Sequence, residues 1–243
     1  MDTLEQPALL RETSNNNGFM HKLSIISQAF VRYHPPEDAP LLDLGSAYGV
    51  ATIAALEQGR DVIACDIEQK HLDVLIDDTP PAYLDHLQTL TGKFPDRVDF
   101  DGSSIGGILV AHLFSFLSGE EIEKGLEKFQ DWLVPGGKIF LINDTPYNSV
   151  CQPYLEQYED DKAQGEKWPG FIENLRESNE NKKLMHNLPD NLHFLEPDTL
   201  IPAFEEAGFS IEKAELFGGQ DYCVPPQFQV DGKEWVGLIA KKK

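Results

Sequence analysis

LLDLGSAYGVATIAALEQGRDVIACDIE, running from Leu41 to Glu68, decides the fold of this chain. It reads as a short apolar run, a glycine-containing turn, a helical pattern closed by Gly59, a second apolar run and then Asp66. That order predicts strand, turn, helix, strand. Gly45 and Gly49 let the backbone turn sharply and let a ligand come within van der Waals distance of it. A helix opening near Val50 directs free N–H groups and the positive end of its dipole into the same space. Asp66, at the carboxyl end of the second strand, is placed to accept both hydroxyls of a ribose. Together these pieces fit a nucleoside-containing ligand lying across the top of the sheet.

Two nucleoside cofactors compete for such a cradle. A nicotinamide fingerprint needs G-x-G-x-x-G to bring a pyrophosphate onto the helix end, and the turn Gly45-Ser46-Ala47-Tyr48-Gly49 lacks that spacing. Asp43 stands inside the first strand, two residues before the first glycine. A buried anion there repels a pyrophosphate but suits a ligand carrying an ammonium and a sulfonium. Asp43-Leu44-Gly45-Ser46-Ala47-Tyr48-Gly49 resembles the D/E-x-G-x-G-x-G motif of class I S-adenosylmethionine (SAM)-dependent methyltransferases, with Ala47 in place of the middle glycine. Leu133-Val134-Pro135-Gly136-Gly137 before an apolar strand, and Glu206-Ala207-Gly208-Phe209 near the end, resemble the same family.

The resemblance implies an α/β, Rossmann-like methyltransferase fold: a mostly parallel seven-stranded sheet, helices on both faces, an antiparallel last strand. It implies SAM as cofactor and S-adenosyl-L-homocysteine as product. The cofactor contacts it implies are Asp43, Gly45, Ser46, Ala47, Tyr48, Gly49, Asp66, Ile67, Phe94 and Ala111. Many members of the family carry an Asp that reads the adenine amino group where this chain has Lys93, and an Asp where it has Gly106. Lysine cannot accept that hydrogen bond, so adenine recognition falls to backbone groups and to apolar contacts from Ile67 and Phe94.

At 243 residues the chain can bury a full core as one α/β domain over residues 1–243, with a helical extension over about 1–38 and an insertion over about 145–192. The net charge of −21 repels a phosphate backbone, and no basic cluster beyond the Lys241-Lys242-Lys243 tail offsets it, so nucleic acid is not an expected partner. Solubility alone accounts for the acidity as well as a preference for cationic ligands does. No run has membrane-span length and no signal pattern opens the chain, so no membrane partner is expected. Cys65, Cys151 and Cys223 are odd in number and widely spaced, which implies no disulfide frame and a reducing, cytoplasmic setting.

Along the chain, Phe19, Leu23, Ile26 and Phe30 predict a helix over Phe19 to Val31 that Pro35-Pro36 ends. Phe19 and Met20 on it are candidates for touching substrate. Gln69 to Ile76 predicts a short helix, His86 to Thr91 a third strand, and Ile108 to Ala111 a fourth, after a loop through Gly106-Gly107. Ser118-Gly119-Glu120-Glu121 is a capping box, and Ile122, Leu126, Phe129 and Leu133 form the stripe behind it. Strand Lys138 to Asn143 follows. The chain closes with helix Leu195 to Ala207, strand Phe209 to Leu216 and strand Trp235 to Ala240.

Between Asp144 and His193 the alternation lapses among aromatic and charged residues, with a helix expected over about Val150 to Gln164 that puts Tyr154 and Tyr158 on one face. An insertion at a strand's carboxyl end is placed to roof a binding site, which makes Tyr154, Tyr158, Trp168 and Phe171 the candidate substrate contacts. The competing reading is a local mini-core.

Methyl transfer needs alignment and exclusion of water, and a base only where the acceptor must lose a proton. Candidates at the carboxyl edge are His112, Asp144 and Tyr147, with His186 and His193 from the insertion; local hydrogen bonding is the alternative role for His112. No metal-ligand spacing occurs. The acceptor, small molecule or protein, is not named by the sequence. A SAM-binding sensor or scaffold without chemistry and a nicotinamide-dependent oxidoreductase are the alternative functions.

Overall fold

The computed structural model of the chain describes residues 11–15, 18–20, 22–175, 188–218 and 229–243. A two-stranded hairpin, β1 (Arg11–Glu12) and β2 (Phe19–Met20), precedes helix α1 (Ile25–Arg32). Then come β3 (Leu41–Leu44), α2 (Val50–Glu57), β4 (Val62–Asp66), α3 (Gln69–Asp78) and β5 (Leu87–Thr91). Strand β6 (Ile105–Ala111), helix α4 (Gly119–Trp132) and β7 (Leu133–Asp144) complete the parallel part. The insertion contributes α5 (Leu155–Ala163), β8 (Phe171–Ile172) and β9 (Leu192–His193), and the chain ends with α6 (Pro197–Glu206), β10 (Phe209–Phe217) and β11 (Trp235–Lys242).

Seven strands form one sheet in the order β10-β11-β7-β6-β3-β4-β5, with β11 antiparallel to both of its neighbours and the run β7-β6-β3-β4-β5 parallel. The chain grows outward from β3 to β5, then crosses back to lay β6 on the other side of β3. That reversal opens a crevice above the carboxyl ends of β3 and β6, where open α/β sheets bind ligands.

The central strands are buried on both faces, which is why β3, β4 and β6 read as continuous apolar runs. Leu41, Val62, Leu109 and Phe140 pack on Ile26 and Phe30 of α1 and on Ala55 and Leu56 of α2. Leu42, Ile63, Ile108 and Leu141 pack on the other face with Leu126 and Phe129 of α4 and Leu200 and Phe204 of α6. The expected capping box is present: Ser118 Oγ accepts the Glu121 N–H at 3.3 Å, and Glu121 accepts the Ser118 N–H at 3.0 Å. Among the described residues no helix is long and apolar enough to cross a membrane.

Several expected boundaries move. The first helix does not begin at Phe19; Phe19–Met20 is extended and paired with Arg11–Glu12. Ser24 caps the N–H of Ser27 at 3.1 Å, so the helix starts only at Ile25. The fourth strand begins at Ile105, three residues before the predicted Ile108, and Gly106 lies inside it. A Cβ on Gly106 would stand 2.3 Å from Pro35 Cβ and 2.7 Å from the Ala39 carbonyl oxygen. The residue sits at the amino end of β6, away from the crevice, and the lack of an acid there has a packing cause. In the insertion, Pro153 has no N–H to give a helix ladder, so α5 starts at Leu155 and the Gln152–Tyr154 turn precedes it.

Gly49, at the N-cap of α2, has φ +75°, and a Cβ there would fall 2.1 Å from Leu75 Cδ1 on α3. Gly59 has nearly the same φ, +74°, with nothing within 4 Å of a Cβ. Gly59→Ala should therefore cost only the left-handed penalty, about 1–2 kcal/mol. Gly49→Ala should cost that plus about 1–3 kcal/mol of overpacking. Denaturant unfolding of the two variants checks this; equal losses would mean that α3 gives way freely.

Candidate functional site

A cleft of about 360 Å³ lies over the carboxyl ends of β3, β4, β6 and β7. Its floor is the Gly45–Gly49 turn, where Gly45, Ala47 and Gly49 all have positive φ, at 80°, 47° and 75°. Ala47 takes this conformation, uncommon for a residue with a Cβ, while its N–H donates to Asp66 Oδ2 at 2.9 Å. The N–H groups of Gly45 and Ser46 both donate to the Cys65 carbonyl, at 2.8 and 3.0 Å. The turn is thus tied to the end of β4 by three hydrogen bonds. Ser46 lines the cleft, and its buried Oγ has no hydrogen-bond partner among the described residues.

Two carboxylates face this floor. Asp43 is 2% exposed and accepts the Thr52 hydroxyl at 2.7 Å. Burial pushes its carboxyl up to about 6, the nearby Asp66 adds to the rise, and the Thr52 hydroxyl opposes it. Asp66 accepts the N–H groups of Ala47 and Glu68, each at 2.9 Å, and lies 3.0 Å from His71 Nδ1. A carboxylate offers about four lone-pair sites, and three contacts already engage this one. His71 is buried, and the Tyr48 ring meets it edge-on at 5.0 Å between centroids. Tyr48 in turn carries the N-terminal hairpin: its hydroxyl accepts the Ser14 N–H at 2.9 Å.

The other end of the cleft is built around His112, which directly follows β6 with φ 58°. Its Nδ1 lies 3.0 Å from Asp144 Oδ2, at the end of the neighbouring strand β7. Ser115 Oγ donates to Asp144 Oδ2 at 3.3 Å and to Asn143 Oδ1 at 3.0 Å, which fixes the carboxylate from below. The Trp235 ring stands edge-on to His112 at 5.0 Å. Parallel pairing of β6 and β7, with Ala111 opposite Ile142, sets the two residues side by side across the sheet edge.

Among the residues singled out in the sequence, Asp43, Gly45, Ser46, Ala47, Asp66, Ile67, Phe94, Ala111, His112 and Asp144 line the cleft. Phe94 does so from the core, stacked on Phe129 at 5.3 Å, and Ile67 from an exposed position. Lys93 also borders the cleft, with its ammonium 3.3 Å from Glu121 Oε1. Tyr48 and Gly49 sit behind the turn and are not part of the lining. Tyr147 is turned away, donating its hydroxyl to Glu196 Oε2 at 2.8 Å. His193 is buried with Nδ1 on the Leu117 carbonyl at 2.9 Å, and burial brings its imidazole down to about 4. His186 lies outside the described residues.

The four insertion aromatics are not brought to the cleft. Tyr158 is 1% exposed and packs against Gly170. Trp168 covers Gly119 and donates its indole N–H to Glu123 at 2.9 Å. Phe171 pairs with His193 in the β8–β9 ribbon, and Tyr154 packs on the insertion's own small core. That core holds Val150, Leu192 and Phe194, with Leu188 beside it, and these aliphatic and Phe side chains wall the cleft next to Asp144. Three further groups escaped the sequence reading: His71, Ser115 and Glu234. His71 lies five residues after Asp66 at the start of α3, a position that could have been paired with it from helix geometry. Glu234 is buried, with Oε1 accepting the N–H groups of Val230, Asp231 and Gly232 at 2.6, 3.0 and 2.9 Å, and nothing in its sequence context signals that.

Residues 41–137 match the model of a family described as "Methyltransferase domain". No curated protein matches the chain by sequence. Among solved structures, a SAM-dependent methyltransferase from Methanosarcina mazei superposes with a TM-score of 0.65 at 16% identity, covering 91% of this chain and 98% of its own. One from Mesorhizobium loti gives 0.62 at 16% identity, with coverage of 89% and 95%. The glycopeptide N-methyltransferase MtfA complexed with SAM gives 0.59 at 14% identity, with coverage of 91% and 87%. At these identities the structural likeness speaks for the fold.

Two outcomes are expected. The Asp43 carboxyl rises from 3.8 unfolded to about 6 folded, so its contribution to stability is full below pH 4 and is lost as pH rises through 6. Asp43→Asn should therefore stabilise the unliganded protein at pH 7 by roughly 2–3 kcal/mol and flatten that stretch of the stability–pH curve. Thermal unfolding from pH 4 to 8 checks it, and an unchanged curve would mean that the carboxylate is solvated. Separately, Tyr158→Ala should cost about 3–5 kcal/mol as a buried aromatic loss, with SAM affinity unaltered. A stable Tyr158→Ala variant with a raised acceptor KM would restore the direct-contact role.

Proposed function

We propose that the chain is a methyltransferase of the family whose model residues 41–137 match, and that it binds SAM and transfers its methyl group to a protic acceptor with His112 as general base. The residues present suit SAM. The glycine turn leaves the floor open to close approach, Ser46 Oγ is a buried polar atom awaiting a partner, and a buried carboxylate, Asp43, stands where a cationic ligand would relieve its desolvation. When bound, SAM supplies a methyl group already activated on a sulfonium.

The chain's own residues then have separable tasks. Asp43 holds positive charge at the floor, and Asp66 takes a ribose hydroxyl at its remaining lone pair. Val150, Leu192 and Phe194 exclude water from the acceptor end. His112 receives the acceptor's proton at Nε2, because Nδ1 is committed to Asp144, and the Asp144 carboxylate steadies the imidazolium that results. The observation that carries this reading is that the His112–Asp144 pair and the Asp43–Asp66 pair open into one cleft at the carboxyl edge of the sheet.

Calorimetric titration with SAM, S-adenosylhomocysteine and NADPH tests the cofactor: the first two should bind and the third should not. An acceptor found by screening metabolites and proteins with radiolabelled SAM then tests the base. His112→Gln should reduce turnover about 10²–10⁴-fold while SAM affinity stays near that of the wild type. Asp144→Asn should also lower turnover and shift the rising limb of the pH–rate profile. Full activity in His112→Gln would show that the acceptor loses no proton to this residue.

A further inference from the structure

The acceptor end of the cleft has a definite chemical character, and the inference drawn from it rests on the methyl-transfer reading above. Its walls are Val150, Leu192 and Phe194 from the insertion, Trp235 from β11, and Phe116 and Leu117 from the turn after β6. Val150, Leu192, Phe194, Leu117 and Trp235 are each at most 6% exposed. They are fixed surfaces, already packed from behind by the insertion core and the main cores. Such a surface rewards apolar area and penalises any charge that must leave water to reach it.

Two carboxylates border this end, Asp144 and Glu234, and both are engaged within the protein. Asp144 Oδ2 receives Ser115 and faces His112 Nδ1, and Glu234 Oε1 receives three backbone N–H groups. A cationic acceptor would share each carboxylate with those donors. The indole of Trp235 already packs in edge contacts with His112 at 5.0 Å and Phe217 at 5.7 Å. An anionic acceptor would lie beside two negative charges, Glu234 buried and Asp144 part-exposed. Of the two lysines that line the cleft, Lys22 is exposed to solvent and the Lys93 ammonium is held by Glu121 and Asp96 at 3.3 and 3.8 Å.

We infer that the acceptor is an uncharged, largely apolar small molecule that presents one weakly acidic hydroxyl of the phenol class to His112. An imidazole matches a phenol as a base far better than it matches an alkanol, whose proton is held much more tightly. The hydroxyl proton passes to His112 Nε2, the oxygen–methyl bond forms as the sulfur–methyl bond breaks, and sulfur keeps the electron pair as a neutral thioether. The products are an aryl methyl ether, S-adenosylhomocysteine and a proton returned to solvent from the imidazolium.

Three probes of one shape test this on the full chain: 2-naphthol, 2-naphthoate and 2-naphthylmethylammonium. Each is titrated calorimetrically into protein saturated with S-adenosylhomocysteine, then incubated with SAM while release of S-adenosylhomocysteine is measured. The naphthol should bind at least about tenfold more tightly than either charged analogue and should alone be methylated. Equal or tighter binding of a charged analogue, or no binding by any of the three, would overturn the acceptor assignment. Preferential binding of the naphthol without methylation would remove the hydroxyl from His112. Failure of S-adenosylhomocysteine itself to bind is a different result, since it defeats the methyl-transfer reading on which the inference stands.

Discussion

The Ala47 N–H reaches Asp66 Oδ2 at 2.9 Å, and the geometry of the cleft depends on that bond. It fastens the turn after β3 to the end of β4, so the floor of the cleft is set by the spacing of two parallel strands. The same carboxylate caps the Glu68 N–H and holds His71, which fixes how the chain leaves β4 and enters α3. A residue placed to read a ligand is therefore also a structural rivet. A carboxylate held by two backbone N–H groups keeps its orientation without a ligand. Asp43 is the opposite case, a carboxylate with one hydroxyl donor in a dry site, whose ionisation a cationic ligand would favour.

The sheet was legible because its central strands obey local rules. Runs such as Leu41–Leu44 and Val62–Asp66 are buried on both faces, and only continuous apolar sequence tolerates that. The Ser118–Glu121 box marked the start of α4 through hydrogen bonds made within four residues. Asp43, Ser46, Asp66 and His112 were readable for the same reason: each lies at or beside a strand end, where side chains reach the crevice. What misled was contact made at a distance. Gly106 looked like a loop residue lacking an acid, whereas the approach of Pro35 and Ala39 dictates a residue without a side chain. Phe19 fitted a helical period, yet pairing of its backbone with Glu12 prevailed over that period.

The insertion shows how composition can point to the right segment and the wrong residues. Val150, Leu188, Leu192 and Phe194 from it line the cleft. Tyr154 and Tyr158, however, spend their apolar area within the insertion, and Trp168 spends its own on α4 and the main core. The smaller Val150 and Leu192, with Phe194, are what remains to face the cleft. Sequence alone could not divide the two sets, because both alternate with charged residues and the division depends on how β8 pairs with β9.

The chain leaves the sheet at Asp144, and on its return the Leu195 N–H donates to the Asp144 carbonyl at 2.9 Å. Asn143 Nδ2 adds a second stitch to the His193 carbonyl at 3.0 Å. Departure and return are thus clasped at one point, and the closure entropy of what lies between grows only slowly with its length. The segment from 145 to 194 behaves as a cassette with fixed ends. The side chain of Asp144 faces His112 while its carbonyl holds the clasp, so the ends of the cassette are registered to the His112 edge of the cleft.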